Sequence, residues 1–320
     1  MVAGAMALGI SACGGTKSRA ANEAASGEAA SAAVNVPVFC ADSAYAYVKR
    51  QVEFGPRVPN TPAHRNAGDW LAAELRRHGA EVHEQTADLT AFDGTLLKAR
   101  NIFGRFNPGV KSGRLLLLAH YDTRPWADQD PDETRRGTPA DGANDGASGV
   151  GVLLELARQI AAQDPGTGID ILFSDAEDYG AEDNEESWAL GTRHFASQMR
   201  SLGWMPDQAI LLDMVGGRNA SFPSEYFSRQ SAPALDAAIR AAAARAGASD
   251  RFPDSYGGAV TDDHLELIKA GVPAVDIIEY RADRGFNDSW HTHSDNIDNI
   301  DPATLGAVGQ TLLQYIYNRK

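Results

Sequence analysis

The sequence predicts an α/β fold: a single-domain sandwich built on a central mixed, mostly parallel sheet with helices on both faces. Three observations carry that expectation. Short continuous apolar runs at residues 115–118, 169–173, 209–212 and 274–278 have the length and unbroken hydrophobicity of strands buried on both faces. Amphipathic stretches at 148–162, 190–201, 232–246, 263–270 and 302–317 alternate with them, and such alternation marks a doubly wound sheet. No composition break, long linker or repeat follows residue 36, so residues 37–320 read as one domain.

Ahead of the alternating region, Asp42 or Ser43 starts a helix that runs to about residue 53. Thr61-Pro62 supplies an N-cap hydroxyl and a first-turn proline for a second helix, which ends at Arg77-His78-Gly79. Two extended stretches follow at 81–92 and 96–106, the second with partial alternation, and they read as neighbouring antiparallel strands.

The composition is that of a folded globular chain, with 43% hydrophobic and 22% charged residues. Its formal net charge of -14 argues against nucleic acid as a partner, because neutralising phosphates requires an excess of Lys and Arg. The charge is concentrated: residues 121–190 hold 17 acidic against 4 basic side chains, nearly the whole excess. Most of these acids, such as Asp128, Asp130, Asp132 and Glu133, read as members of polar loops, while Asp122, Asp145, Glu177 and Asp178 point to a cation site.

No segment reaches the roughly 18 apolar residues of a spanning helix. Residues 1–13 are a short apolar run ending in Ile10-Ser11-Ala12-Cys13, which resembles the lipobox at the end of a bacterial lipoprotein signal peptide. The resemblance implies lipidation of Cys13, with residues 14–36, rich in Ala, Ser and Gly, as a flexible tether. A lipid-anchored protein of the cell envelope, exposed to the periplasm and touching membrane only through its anchor, is the resulting expectation. Cys40 then stands alone, without an internal disulfide framework.

The chemistry gathers at the carboxyl ends of the predicted strands, where ligands bind in such folds. His120 and Asp122 follow the first run, Glu177 and Asp178 the second, and Asp213 the third, while Trp290-His291 stands beyond the fourth. Asp145 lies in the glycine-rich loop 142–149 leading into a helix. Carboxylates held ~4 Å apart repel by roughly 4 kcal/mol per pair at an effective dielectric near 20, so their convergence calls for a cation. Imidazole and carboxylate donors without thiolate suit Zn²⁺ in an open, catalytic arrangement.

His120-x-Asp122, Asn144-Asp145-Gly146, Glu177-Asp178, Leu212-Asp213 and Trp290-His291-Thr292 resemble, in order and spacing, the motifs of the zinc-aminopeptidase-like exopeptidases. The resemblance implies Asp145, Asp178 and His291 as zinc ligands and Glu177 as general acid/base. Asp178 stands where glutamate is commoner. The stretches 54–64, 186–192, Thr261-Asp262-Asp263-His264 and 290–296 make the chain most similar to the glutaminyl cyclases of the animal type and their bacterial relatives.

That similarity implies conversion of N-terminal glutamine of peptides and proteins to pyroglutamate with release of ammonia. Asp213 and Asp263 would form the acidic network around the intermediate, with Trp188, Trp290 and Asp262 binding substrate. One zinc is expected. His120, Asp122 and Asp213 are the side chains for a second metal or for support behind the first. A monomer is the expected state. The rival readings are a dizinc aminopeptidase and, further off, a non-catalytic binding lipoprotein, against which all proposed ligands and Glu177 are present.

Overall fold

The computed structural model describes residues 34–319; the signal-peptide and lipidation expectations at Cys13 and most of the tether lie outside the described residues. The six-stranded sheet is built from β1 (Glu81–Thr90), β2 (Leu96–Phe106), β3 (Leu115–His120), β4 (Ile169–Ser174), β5 (Gln208–Asp213) and, after two short strands, β8 (Ala274–Ile278). Its spatial order is β1-β2-β4-β3-β5-β8. β1/β2 and β2/β4 pair antiparallel, whereas β4, β3, β5 and β8 run parallel, as the apolar runs required.

Alternate residues of these strands enter different cores. Leu115, Leu117, Ile169, Ile171, Ile210, Leu212, Val275 and Ile277 pack on one face against helices α1 (Ala41–Val52), α2 (Pro62–Arg77), α3 (Ala147–Ala162) and, later in the chain, α6 (Pro233–Ala246) and α8 (Pro302–Asn318). Leu116, Leu118, Leu172, Ala209 and Leu211 point the other way, onto Phe195 and Met199 of α4 (Leu190–Met199) and Leu267 of α7 (Asp263–Lys269). Both faces are dry, so no polar alternation remains to be seen in the sequence.

The helix starts follow the expected chemistry. The Thr61 hydroxyl accepts the His64 N–H with Pro62 in the first turn, and Asp301 caps α8 in the same way ahead of Pro302. α3 lies so close to the sheet that a Cβ at Gly149 would stand 2.2 Å from Leu212 O. Only glycine permits that approach. The sequence reading missed α5 (Tyr226–Ser231) and the two-stranded parallel pairing of β6 (Ser224–Glu225) with β7 (Tyr256–Gly258), which are too short to show periodicity. It also missed the ribbon of β9 (Tyr280–Arg281) and β10 (Gly285–Phe286).

Register decides what meets at the sheet edge. His120 pairs with Ser174, and Leu118 pairs with Leu211, so His120 lies level with Asp213 at the carboxyl ends of parallel strands. The loops after β4 and β8 and the N-terminus of α3 rise from the same edge.

Candidate metal centre and active site

Asp145, Asp178 and His291 offer ligand atoms that all lie within 4.8 Å of one another, and all three side chains are buried. His291 Nε2 stands 3.3 Å from Asp178 Oδ1 and 3.7 Å from Asp145 Oδ2. The other oxygen of Asp145 faces His120 Nε2 at 3.1 Å, and His120 Nε2 is 3.2 Å from Asp213 Oδ1. His120, Asp145 and Asp213 thus form a second candidate donor group, joined to the first through Asp145. One imidazole and two carboxylates, with no thiolate, fit zinc in an open site.

Supporting contacts aim these donors. Asp128 Oδ1 lies 3.2 Å from His291 Nδ1, the ring nitrogen turned away from the cluster, in the arrangement by which a carboxylate orients a metal-binding imidazole. Asp130 holds the adjacent segment, with Oδ2 accepting the His293 N–H. These two acids are therefore parts of the scaffold, correcting the expectation of plain polar-loop residues. The signal was hidden because their partners lie some 160 positions away in the chain.

Asp122 is not directed at the cluster. Its two oxygens accept the backbone N–H groups of Glu177 and Asp178, each at 3.2 Å, so it fixes the peptide that carries both side chains. Asp295 does the same for the other loop, accepting from Asn144 N at 2.7 Å and Asp145 N at 3.1 Å. Fully buried Arg57 donates to Tyr121 O and Gly142 O, tying the segment after β3 to the loop of Asp145. Arg57 and Asp295 were absent from the sequence-derived site, although both lie in stretches quoted for the family resemblance.

The backbone is strained where the chemistry is. Ala176, Ala189, Met214 and His291 have φ between 48° and 56°. Three of them adjoin Glu177, Trp188 and Asp213, and the fourth is the candidate donor His291. Non-glycine residues held left-handed cost of order 1–3 kcal/mol each and persist where surrounding structure imposes them.

The cavity in front of this cluster encloses about 250 Å³ and is lined by Asp145, Glu177, Asp178, Trp188, Asp213, Asp262, Trp290 and His291 among others. That is below the ~300–1,000 Å³ of drug-sized sites and suits a single residue. A larger cavity of about 790 Å³, between α2 and the β1–β2 hairpin, contains none of the candidate metal donors. Trp188 lies nearly parallel to His291, with 6.2 Å between ring centroids, and its indole N–H donates to Ala181 O. Trp290 is sandwiched between Phe286 and His291 at 4.4 and 3.8 Å.

Asp262 takes the cavity position expected of a substrate-binding residue, but Asp263, expected in the acidic network, does not reach the cavity. Asp262 is the N-cap of α7 and lines the cavity, whereas Asp263, in the first turn, points inward to Ser174 Oγ at 2.5 Å. Behind Asp262, His264 Nε2 lies 3.2 Å from Glu225 and Nδ1 3.7 Å from Asp276, all of them buried. Asp262 therefore joins Glu177 and Asp213 on the cavity wall, with Asp263 packed behind it.

Electrostatics follow from this crowding. Burial, opposed by His120 and reinforced by Asp262, Asp178 and Asp263, holds Glu177 well above the ordinary carboxylate range. Burial, Asp213 and Asp263 do the same to Asp262. Asp178 is pushed up to about 6 by burial and Asp145. Burial lowers His291, but Asp178 and the other neighbouring carboxylates prevail and raise it to about 9.

Residues 101–316 match peptidase family M28, and the chain belongs to that family of zinc-dependent enzymes. Within it, the similarities point to the glutaminyl cyclases. The Bacteroides thetaiotaomicron glutaminyl cyclase, solved with N-acetylhistamine bound, is 51% identical with a TM-score of 0.87, over 89% of this chain and 100% of that one. A structure from the same species described as a leucine aminopeptidase precursor is equally similar, at 51% identity and a TM-score of 0.86, over 90% of this chain and 100% of that one. The glutaminyl-peptide cyclotransferase of Bos taurus is 27% identical over 295 residues, spanning 81% of this chain and 77% of its own length.

Protons and zinc compete for the same donors, which sets the pH dependence of binding. Between pH 6 and 9 metal-free His291 carries a proton that zinc displaces, and below about 6 Asp178 carries another. Calorimetric zinc titration in buffers of different ionisation enthalpy is expected to show about one proton released at pH 7.5, with affinity falling roughly tenfold per unit of acidification and more steeply below pH 6. A pH-independent affinity between 6 and 8 contradicts the assignment of His291.

Proposed function

We propose that this protein cyclises the N-terminal glutamine of peptides and proteins to pyroglutamate, releasing ammonia. The observation that carries the reading is the placement of Asp262 beside Glu177 and Asp213 on the wall of a one-residue cavity, facing the Asp145/Asp178/His291 donors. Its similarity to glutaminyl cyclases over nearly the whole described chain supports the same reaction.

The reaction forms a bond from the α-amine nitrogen to the γ-carboxamide carbon and breaks the bond from that carbon to the amide nitrogen. The net proton movement is from the attacking nitrogen to the departing one, and no water is consumed. Zinc, when held by Asp145, Asp178 and His291, supplies the Lewis acidity that polarises the γ-carbonyl. Glu177 lines the cavity and accepts the amine proton as a base, then returns it to the leaving nitrogen. Its raised proton affinity suits both halves of that exchange.

Burial and the neighbouring carboxylates raise the proton affinity of Asp262 as well, and in its protonated form it donates a hydrogen bond to the leaving group as charge develops there. Asp213 holds His120, whose Nε2 also meets Asp145. Trp188 and Trp290 wall the cavity with flat apolar surface on which the glutamine side chain can rest. We assign one zinc to the reaction, while His120, Asp145 and Asp213 provide a second donor group.

For localisation, we propose attachment to the bacterial envelope through lipidated Cys13, with the catalytic domain in the periplasm. This rests on the likeness of Ile10-Ser11-Ala12-Cys13 to a lipobox.

The variant Glu177→Gln is expected to retain fold and zinc while losing roughly 10²–10⁴ in turnover of Gln-peptides, the usual worth of a general acid/base. Near-normal cyclisation by that variant refutes the role of Glu177. In cell fractionation, Cys13→Ser is expected to move the protein from the membrane pellet to the soluble fraction; an unchanged distribution counts against the anchor.

A further inference from the structure

The mouth of the cavity carries features that the reaction at its floor does not use. The segment between Asp178 and α4 contributes Glu182 and Glu185 to the lining, and both are exposed. Glu186 in the same loop is neutralised, lying 3.4 Å from Arg193 and 3.6 Å from Lys269. Glu182, by contrast, meets only the neutral amide of Gln129, and Glu185 has no cation within ion-pair distance among the described residues. Both glutamates that line the mouth therefore lack a positive partner among the described residues.

The lining also contains an aromatic series. Tyr280 meets Phe286 edge-on at 4.8 Å, and Phe286 stacks on Trp290 at 4.4 Å. The nearby cations are already engaged: Arg281 pairs with Asp283 and Arg284 with Glu279. On the wall below, Asp262 Oδ2 is buried without a hydrogen-bond partner. Uncompensated carboxylates and aromatic faces in one opening both attract a cation, the first by charge and the second by the ring quadrupole.

We propose that Glu182 and Glu185, together with Tyr280 and Phe286, form a subsite selecting Lys or Arg just after the N-terminal glutamine of the substrate. The inference rests on the cyclase reading. The cavity has room for one residue, and an extended chain advances about 3.3–3.6 Å per residue, so the second and third side chains fall at its mouth. An exposed ion pair supports a preference of about 1.5- to 5-fold, and two carboxylates with an aromatic wall give roughly 3- to 20-fold at low salt.

The test compares kcat/KM for the amidated peptides Gln-Lys-Ala, Gln-Ala-Lys, Gln-Ala-Ala and Gln-Glu-Ala at low and high salt. At least one lysine peptide is expected to exceed Gln-Ala-Ala, Gln-Glu-Ala to fall below it, and the spread to shrink with salt. The double variant E182Q/E185Q is expected to bring the Lys/Glu ratio toward 1, with each single variant removing part of it. E81Q, on edge strand β1, changes net charge away from the mouth and is expected to keep the ratio. If Gln-Ala-Ala is cyclised but the ratio is near 1, or survives in the double variant, the subsite is wrong and the cyclase reading stands. If no Gln-peptide is cyclised, both fall.

Discussion

The confinement of like charge at one sheet edge is the constraint on which the rest of this protein depends. Asp145, Glu177, Asp178, Asp213 and Asp262 are all at least nine-tenths buried around one small cavity. Left to themselves such groups would take up protons or push apart. The structure instead holds them with His120, His291 and a zinc-type donor set, so that the same crowding raises the proton affinity of Glu177 and Asp262. Binding metal and tuning an acid/base are therefore two results of one arrangement.

Holding it requires backbone as much as side chains. Asp122 grips the Glu177–Asp178 peptide and Asp295 the Asn144–Asp145 peptide, each by paired acceptance of backbone N–H groups. Arg57 joins the segment of Asp122 to the loop of Asp145 from within the protein. Gly142 and Gly146 are left-handed at φ +60° and +91°, and a Cβ at Gly146 would come within 2.5 Å of Asp122 O. The two loops approach so closely because these positions lack side chains, and the strain at Ala176, Met214 and His291 is sustained by the surrounding scaffold.

Much of this was legible from the sequence because it depends on local pattern. Doubly buried strands announce themselves as unbroken apolar runs, and the residues just beyond them, His120, Glu177, Asp178 and Asp213, must lie at the ligand edge once the strands are parallel. What could not be read depends on side-chain direction or on distant pairing. Adjacent Asp262 and Asp263 look alike in sequence, yet the extended N-cap residue faces the cavity and its neighbour, already helical, turns into the core. Asp128 and Asp130 looked like loop charges because the histidines they position come from the other end of the chain.

The acidity of residues 121–190 also acquires a graded meaning: ligands on the floor, supports behind them, and uncompensated carboxylates at the mouth. The reaction we propose for this M28 scaffold closes a glutamine onto itself rather than admitting water to a peptide bond. The most direct measurement is to incubate the zinc-loaded protein separately with Gln-Ala and with Leu-p-nitroanilide, following pyroglutamyl product, ammonia and released nitroaniline. Stoichiometric pyroglutamyl-Ala and ammonia without nitroaniline is the predicted result. Rapid release of nitroaniline, with free glutamine and alanine from the dipeptide, would contradict it.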